Sequence, residues 1–308
     1  LFSSLLSTML GVMVPLAVPV TAGALLGRYQ RLDTKPLLTL YLYFLSPAML
    51  LDTLTRASIK PGDIYVTVAF TLLNLVLMRL LALGLSRALR LGPADTAGLT
   101  LISTLTNSVN YGLPVVLLAF GQAGMDKASV YVVGQMILAN TVGVYFAARS
   151  NFSARGAVRS VFSLPAIYAA ALALLLRLTG LHLPADLAKG VSLAAGAYSP
   201  VVLCVLGAQM MKVAMTPPVP AARPAFYTGM GVRMLAAPLL AAGLLFLLPA
   251  DHLLLKVLFI LASMPVAVNA VVLAERFDAS PAYVSRCILW STLLSFLWLP
   301  LLIAACSS

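Results

Sequence analysis

Long apolar runs separated by short clusters of Lys, Arg, Pro, Gly and Asp make up the whole chain, and polar residues inside the runs are few. About 20 mainly apolar residues in a row form a helix that crosses the roughly 30 Å hydrocarbon layer. The pattern predicts ten such helices, near residues 5–28, 36–56, 63–88, 94–121, 126–149, 158–179, 185–212, 221–248, 253–275 and 280–305. Turn and helix-stop residues punctuate the boundaries, among them Lys60-Pro61-Gly62, Gly92-Pro93, Gly121 to Gly124, Leu183-Pro184 and the run Pro217 to Pro220. The predicted fold class is an all-α polytopic membrane protein. Its first run, Leu1 to Gly27, is uncharged and lacks the basic leader of a secretory signal peptide, so it is predicted to be the first span.

Composition narrows the function. Of 308 residues 61% are hydrophobic and 9% charged, which leaves no room for a sizeable soluble domain. The net charge of +11 comes from basic residues scattered singly between the runs, which argues against a nucleic-acid partner. Twelve Lys and Arg fall in the odd-numbered connectors and six in the even ones. Positive residues stay on the cytoplasmic side, so this bias places both termini outside the cytoplasm in a cell (inner) membrane. Cys204, Cys287 and Cys306 are isolated, His182 and His252 lie far apart, and neither set has metal-ligand or disulfide spacing. With no catalytic dyad, metal-ligand set or nucleotide loop, a membrane-embedded enzyme is disfavoured.

Matches recur when the second half is laid on the first. Ser46-Pro47 meets Ser199-Pro200, Arg79 meets Arg233, Asp126 meets Asp278 and Tyr131 meets Tyr283, all at offsets of 152 to 154 residues. A unit of five spans repeats upside down, so residues 1–150 and 151–308 are expected to form a 5+5 inverted repeat. Polar and helix-breaking residues interrupt the fourth span at Asn107-Ser108-Val109-Asn110-Tyr111-Gly112-Leu113-Pro114 and the ninth at Met264-Pro265-Val266-Ala267-Val268-Asn269. Pro removes an N–H and Gly accepts unusual dihedrals, so the helical ladder is expected to open in both. The freed groups, and the positive N-terminal ends of the half-helices, would suit a carboxylate. The alternative is two simple kinks with Asn107, Asn110 and Asn269 hydrogen-bonded between helices.

These residues resemble a known family. The string Thr104-Leu105-Thr106-Asn107 through Gly112-Leu113-Pro114 to Phe120-Gly121 is similar to the signature of the auxin efflux carriers, which include plant PIN proteins and bacterial organic-acid permeases. Met264 to Asn269, Ala274-Glu275-Arg276-Phe277-Asp278 and Pro281 are similar to that family's last two spans. The resemblance implies a fold related to the bile-acid symporters, with a scaffold of spans one, two, six and seven. The other six spans would form a transport domain in which the fourth and ninth cross and move by an elevator-like step. It implies a substrate site between that crossing and spans two and seven, which nominates Asn107, Asn110, Tyr111, Gly112, Pro114, Pro265, Asn269 and the stretch Pro47 to Asp52. A homodimer is expected by the same resemblance. The plant members' long central loop is missing, so regulation by loop phosphorylation is not expected.

Charged residues in apolar spans ask for partners. An Arg near the bilayer centre costs about 2.5–3.5 kcal/mol on the lenient insertion scale. Arg79 and Arg233 are therefore expected either to face the carbonyl end of a broken half-helix or to line the anion's path. Asp52 is either a proton-coupling or substrate-contact group or an interfacial cap, and Asn74 and Glu275 are weaker candidates. Sodium-coupled relatives use carboxylates near the crossing, and this crossing has none, which favours proton coupling or potential-driven transport over Na⁺. No metal or cofactor is called for. The expected activity is secondary transport of small organic anions such as carboxylates or auxin-like acids, the alternative being a sodium-coupled symporter of the bile-acid type.

Overall fold

A chain surrounded by lipid has to bond its own amides, and these apolar runs do so as helices. The computed structural model describes residues 9–57, 60–148, 159, 162–215 and 223–307. The start of the first predicted span, Arg149 and Arg155 in the predicted link between halves, and the Pro217–Pro220 run lie outside the described residues.

The elements are α1 (Val14–Tyr29, continuing a π turn at Met9–Met13), α2 (Thr34–Arg56, with a π turn at Tyr41–Leu45) and α3 (Pro61–Ala88). Next come α4 (Pro93–Thr104), α5 (Ser108–Ala147), α6 (Pro165–Thr179), α7 (Ala185–Ala214) and α8 (Pro224–Phe246). The chain ends with α9 (His252–Ala262), α10 (Asn269–Phe277) and α11 (Pro281–Ser307). Seven of these, α1, α2, α3, α5, α7, α8 and α11, are long and apolar enough to cross a membrane, whereas α6 and α9 are apolar but shorter. Pro61, Pro93, Pro165 and Pro281 each open a helix, where the missing N–H would have had no intrahelical partner anyway. Asp33 and Asp251 cap α2 and α9 by accepting from the N–H groups of Lys35 and Leu254.

α5 is one helix by hydrogen bonding but two by direction. Gly121 has φ +65° and ψ −163°, a conformation open to glycine and costly for other residues. Before it, Gly112 packs against Leu261 and Met264; after it, Gly143 packs against Leu105 and Leu273. A straight helix would hold Gly112 and Gly143 roughly 45 Å apart, so the chain doubles back at Gly121. The predicted boundary between the fourth and fifth spans falls at this joint.

Two groups of helices form. α1, α2, α6 and α7 pack on one another, while α3, α4, α5, α8, α9, α10 and α11 make their main contacts among themselves. In the first group α1 lies along α7 so closely that a Cβ on Gly23 would sit 1.8 Å from the Cys204 carbonyl oxygen. A Cβ on Gly207 would sit 1.9 Å from that of Val20. In the second group Lys127 on α5 binds Asp63 on α3 at 2.9 Å and Asp251 at the start of α9 at 2.6 Å.

Both contacts make measurable predictions. Gly207→Ala should destabilise the protein by about 1–3 kcal/mol or more, since backbone must separate, whereas Gly243→Ala, facing open space, should not. Burial works against ionisation of Asp251, but the Lys127 ammonium and the Leu254 and Leu253 N–H groups outweigh it and hold the carboxyl below its usual value. A lowered carboxyl contributes stability above the ordinary carboxylate range and loses it as pH falls through the folded value. Melting in detergent should therefore drop as pH falls below about 4, and Lys127→Met should flatten that part of the profile.

Candidate functional site

α4 stops at Thr104 and α9 at Ala262, and the two broken chains meet. Thr106 and Val266 form an antiparallel bridge: the Asn107 N–H donates to the Pro265 carbonyl at 2.8 Å, and the Ala267 N–H to the Leu105 carbonyl at 3.0 Å. Val266 N–H, the donor between them, is taken by the Ser291 hydroxyl of α11 at 3.2 Å. The helices then resume. Tyr111 and Gly112 N–H groups both bond to the Asn107 carbonyl, while the N–H groups of Ser108, Val109 and Asn110 stand in the first turn, which has no intrahelical acceptor to offer.

The first interruption lies earlier than the sequence pattern suggests. Gly112 and Pro114 fall inside the resumed helix, Gly112 closing a π turn at Ser108–Gly112 and Pro114 in the first α turn, where Pro is tolerated. The non-helical residues run from Leu105, extended at φ −101° and ψ 112°, to Asn107, at φ −78° and ψ 42°. Pro265, by contrast, sits in the gap itself, between α9 and α10.

A cavity of about 310 Å³ opens beside the crossing. Asn107, Asn110, Val268 and Asn269 line it from the crossing, Tyr41 and Ser46 from α2, Gln135 and Asn140 from the returning arm of α5, and Gln209 from α7. The rest of the wall is mainly aliphatic, including Leu38, Leu105, Val271 and Leu273, and none of the described lining residues is charged. Asn107 is 2% exposed, and its Nδ2 has no hydrogen-bond partner among the described residues; the fully buried Ser46 Oγ has none there either. Buried polar atoms are rarely left so. Asn110 meets the Tyr41 hydroxyl, and Tyr41 stacks edge-on against Tyr198.

Other nominated residues lie elsewhere. Tyr111 is fully buried against Phe296, its hydroxyl between Met13 and Ser295, and Gly112, Pro114 and Pro265 are buried behind the cavity wall. Pro47 and Asp52 are not brought to the cavity, because α2 continues as a helix past Ser46 and carries them away. Asp52 pairs with Arg56 at 3.0 Å and borders a separate cavity of about 430 Å³ with Arg177 and His182. Asn74 is buried on α3, outside the cavity wall, with its Oδ1 unpaired.

The two span arginines differ. Arg233, 1% exposed, donates to the Ser103 carbonyl at 3.0 Å and to the Ala262 carbonyl, the C-terminal ends of α4 and α9. Arg79 reaches neither end: it donates to the Thr100 hydroxyl at 2.7 Å and lies 4.4 Å over the Phe146 ring. Neither lines the cavity.

A second cavity, of about 500 Å³, shares Leu38, Gln209, Val268 and Val271 with the first. Its wall adds Lys35, Lys212, Glu275 and Arg286, which lie near the ends of helices that border the odd-numbered connectors. Tyr41, Gln135, Asn140, Gln209 and Ser291 were missing from the sequence-based set. Their one signal is a lone amide or hydroxyl inside an apolar span, which interhelical bonding explains equally well.

Comparisons with known proteins point to membrane transport. A family model described as "membrane transport protein" matches residues 6–154 and 152–303. An uncharacterized transporter of Methanothermobacter thermautotrophicus is 28% identical over 257 residues, covering 83% of each chain.

Ser291 gives a direct check on the crossing. Ser291→Ala leaves the Val266 N–H unpaired in a buried place and should cost about 1–3 kcal/mol. Thr292→Val, which removes a neighbouring buried hydroxyl that has no partner, should cost little in the same melting experiment.

Proposed function

The chain belongs to the membrane transport protein family, the group of the auxin efflux carriers, and we propose that it is a secondary transporter of small organic anions. The preferred cargo is a monocarboxylate with an apolar body. The observation that carries this reading is the unpaired Asn107 Nδ2, a buried donor at the wall of an uncharged, largely aliphatic cavity. The N-terminal ends of α5 and α10 meet at that wall, each equivalent to about half a positive charge. Amide donors and helix ends hold a carboxylate, and the aliphatic wall holds the rest of the molecule.

The wall that the cavity shares with the Lys35, Lys212 and Arg286 cavity supports access from the side of the odd connectors, which the charge bias assigns to the cytoplasm. In this reading the ten spans form a 5+5 inverted repeat in which α1, α2, α6 and α7 are the scaffold. The remaining helices carry the crossing across the membrane as an elevator. An uncharged lining favours coupling to protons or to membrane potential over a sodium symport.

Uptake of radiolabelled benzoate into proteoliposomes tests the proposal, with citrate as a cargo too highly charged for the cavity. Benzoate uptake should respond to a pH gradient or an imposed potential, and citrate should not be carried. Asn107→Leu and Asn269→Leu should each lower uptake about tenfold or more with melting unchanged. Absence of flux for any carboxylate, or full activity in both variants, would overturn it.

A further inference from the structure

Two helix C-termini, α4 at Ser103 and α9 at Ala262, point their last carbonyls at one spot, and the Arg233 guanidinium fills it. Each end is equivalent to about half a negative charge. Opened carbonyls and half-helix C-termini are the groups with which broken-helix transporters hold a monovalent cation. Here the positive charge arrives on α8 and is covalently fixed. A guanidinium stays protonated, spreads its donors in a planar fork and can serve two carbonyls at once. Among the described residues the groups it meets are main-chain oxygens rather than a carboxylate, and its Nε has no partner there. A neutral donor could bond the same carbonyls without the cost of a charge in the membrane; what it could not do is offset two converging negative helix ends.

We infer that Arg233 is a tethered cation: a positioning residue that permanently occupies the place where a free monovalent cation would otherwise be needed to draw the two broken helices together. The inference rests on the reading of the crossing as the substrate site. Leu105 and Pro265, whose carbonyls receive the Ala267 and Asn107 N–H groups, follow Ser103 and Ala262 by two and three residues. Fixing the C-terminal ends therefore fixes the bridge, and the bridge fixes the N-terminal ends that face the cavity. Substrate binding then does not wait for sodium.

The experiment replaces the tether and offers a loose cation. Wild-type melting in detergent and benzoate uptake in proteoliposomes should be the same in sodium, potassium and choline chloride. Arg233→Ala should lose about tenfold or more of its uptake in choline and melt lower. Low-millimolar methylguanidinium, or sodium, should restore several-fold uptake and raise its melting temperature. A merely structural side chain would leave no such cation dependence. Should Arg233→Ala fail to fold, Arg233→Lys, which keeps the charge, should melt higher and transport faster than Arg233→Met, which keeps the bulk. Sodium-dependent wild-type uptake, an Arg233→Ala protein indifferent to every cation, or equal Lys and Met variants would each overturn the inference. If wild type carries no carboxylate, the functional reading fails, while cation-dependent melting of the variants still decides the tether.

Discussion

A helix that stops in the middle of a membrane leaves amides with nothing to bond, and in lipid each such group costs several kcal/mol. In this protein two helices stop at the same place, so each supplies the other's partners. Asn107 bonds to Pro265, Ala267 bonds to Leu105, and Ser291 takes the donor left between them. Neither break is affordable alone. The pairing also sorts the four helix ends by polarity: the carbonyl ends of α4 and α9 converge on Arg233, and the N–H ends of α5 and α10 converge on the cavity. One antiparallel bridge thereby creates a negative site and a positive site a few residues apart.

The arginines show why symmetry in sequence does not carry through to chemistry. Arg79 and Arg233 stand 154 residues apart, which the sequence pattern reads as matching places in two halves. Hydrogen bonds to a charged group contribute about 1.5–3 kcal/mol each, so the two carbonyls on Arg233 are of the size needed to offset the cost of its burial on the lenient insertion scale. Arg79 is half-buried and finds a hydroxyl and an aromatic face instead. Its helix, α3, runs past α4 one turn before the carbonyls open, at Thr100 rather than at Thr104. A small offset along a neighbouring helix separates a charge that organises the crossing from one that packs at its edge.

Long apolar runs were legible at once because the demand for internal hydrogen bonds leaves a helix as the outcome. Asn107 and Asn269 were legible for a related reason, since an amide in such a run needs a partner of its own. The exact residue of the first break was not. Gly112 and Pro114 have the stronger local preferences, yet Pro fits the first turn of a helix, so the chain opens at Leu105 to Asn107, where Pro265 and Ala267 can pair with it. The two readings of Asp52 could not be separated from sequence: α2 runs on as a helix past Ser46, and Asp52 lies beside Arg56, away from the cavity at the crossing. Gln135, Asn140 and Gln209 could not be ranked, because which face of a span meets the cavity depends on packing across distant segments.

On the transport reading, the charges that the described lining of the cavity lacks stand at its approach. Lys35, Lys212 and Arg286, opposed by Glu275, border the outer cavity, whereas the inner one has amides, hydroxyls and helix ends. Fixed cations near water raise the local concentration of an anion within about a Debye length, roughly 8–10 Å. A fixed cation in the inner cavity would instead hold the anion through a low dielectric, where attraction is strong and release slow. Under the same reading, partial charges from helix ends replace the anion's hydration without a full countercharge to escape. On the transport reading, this division lets the outer cavity govern capture and its salt dependence, while the neutral inner cavity keeps the bound state shallow enough for the cargo to leave on the other side.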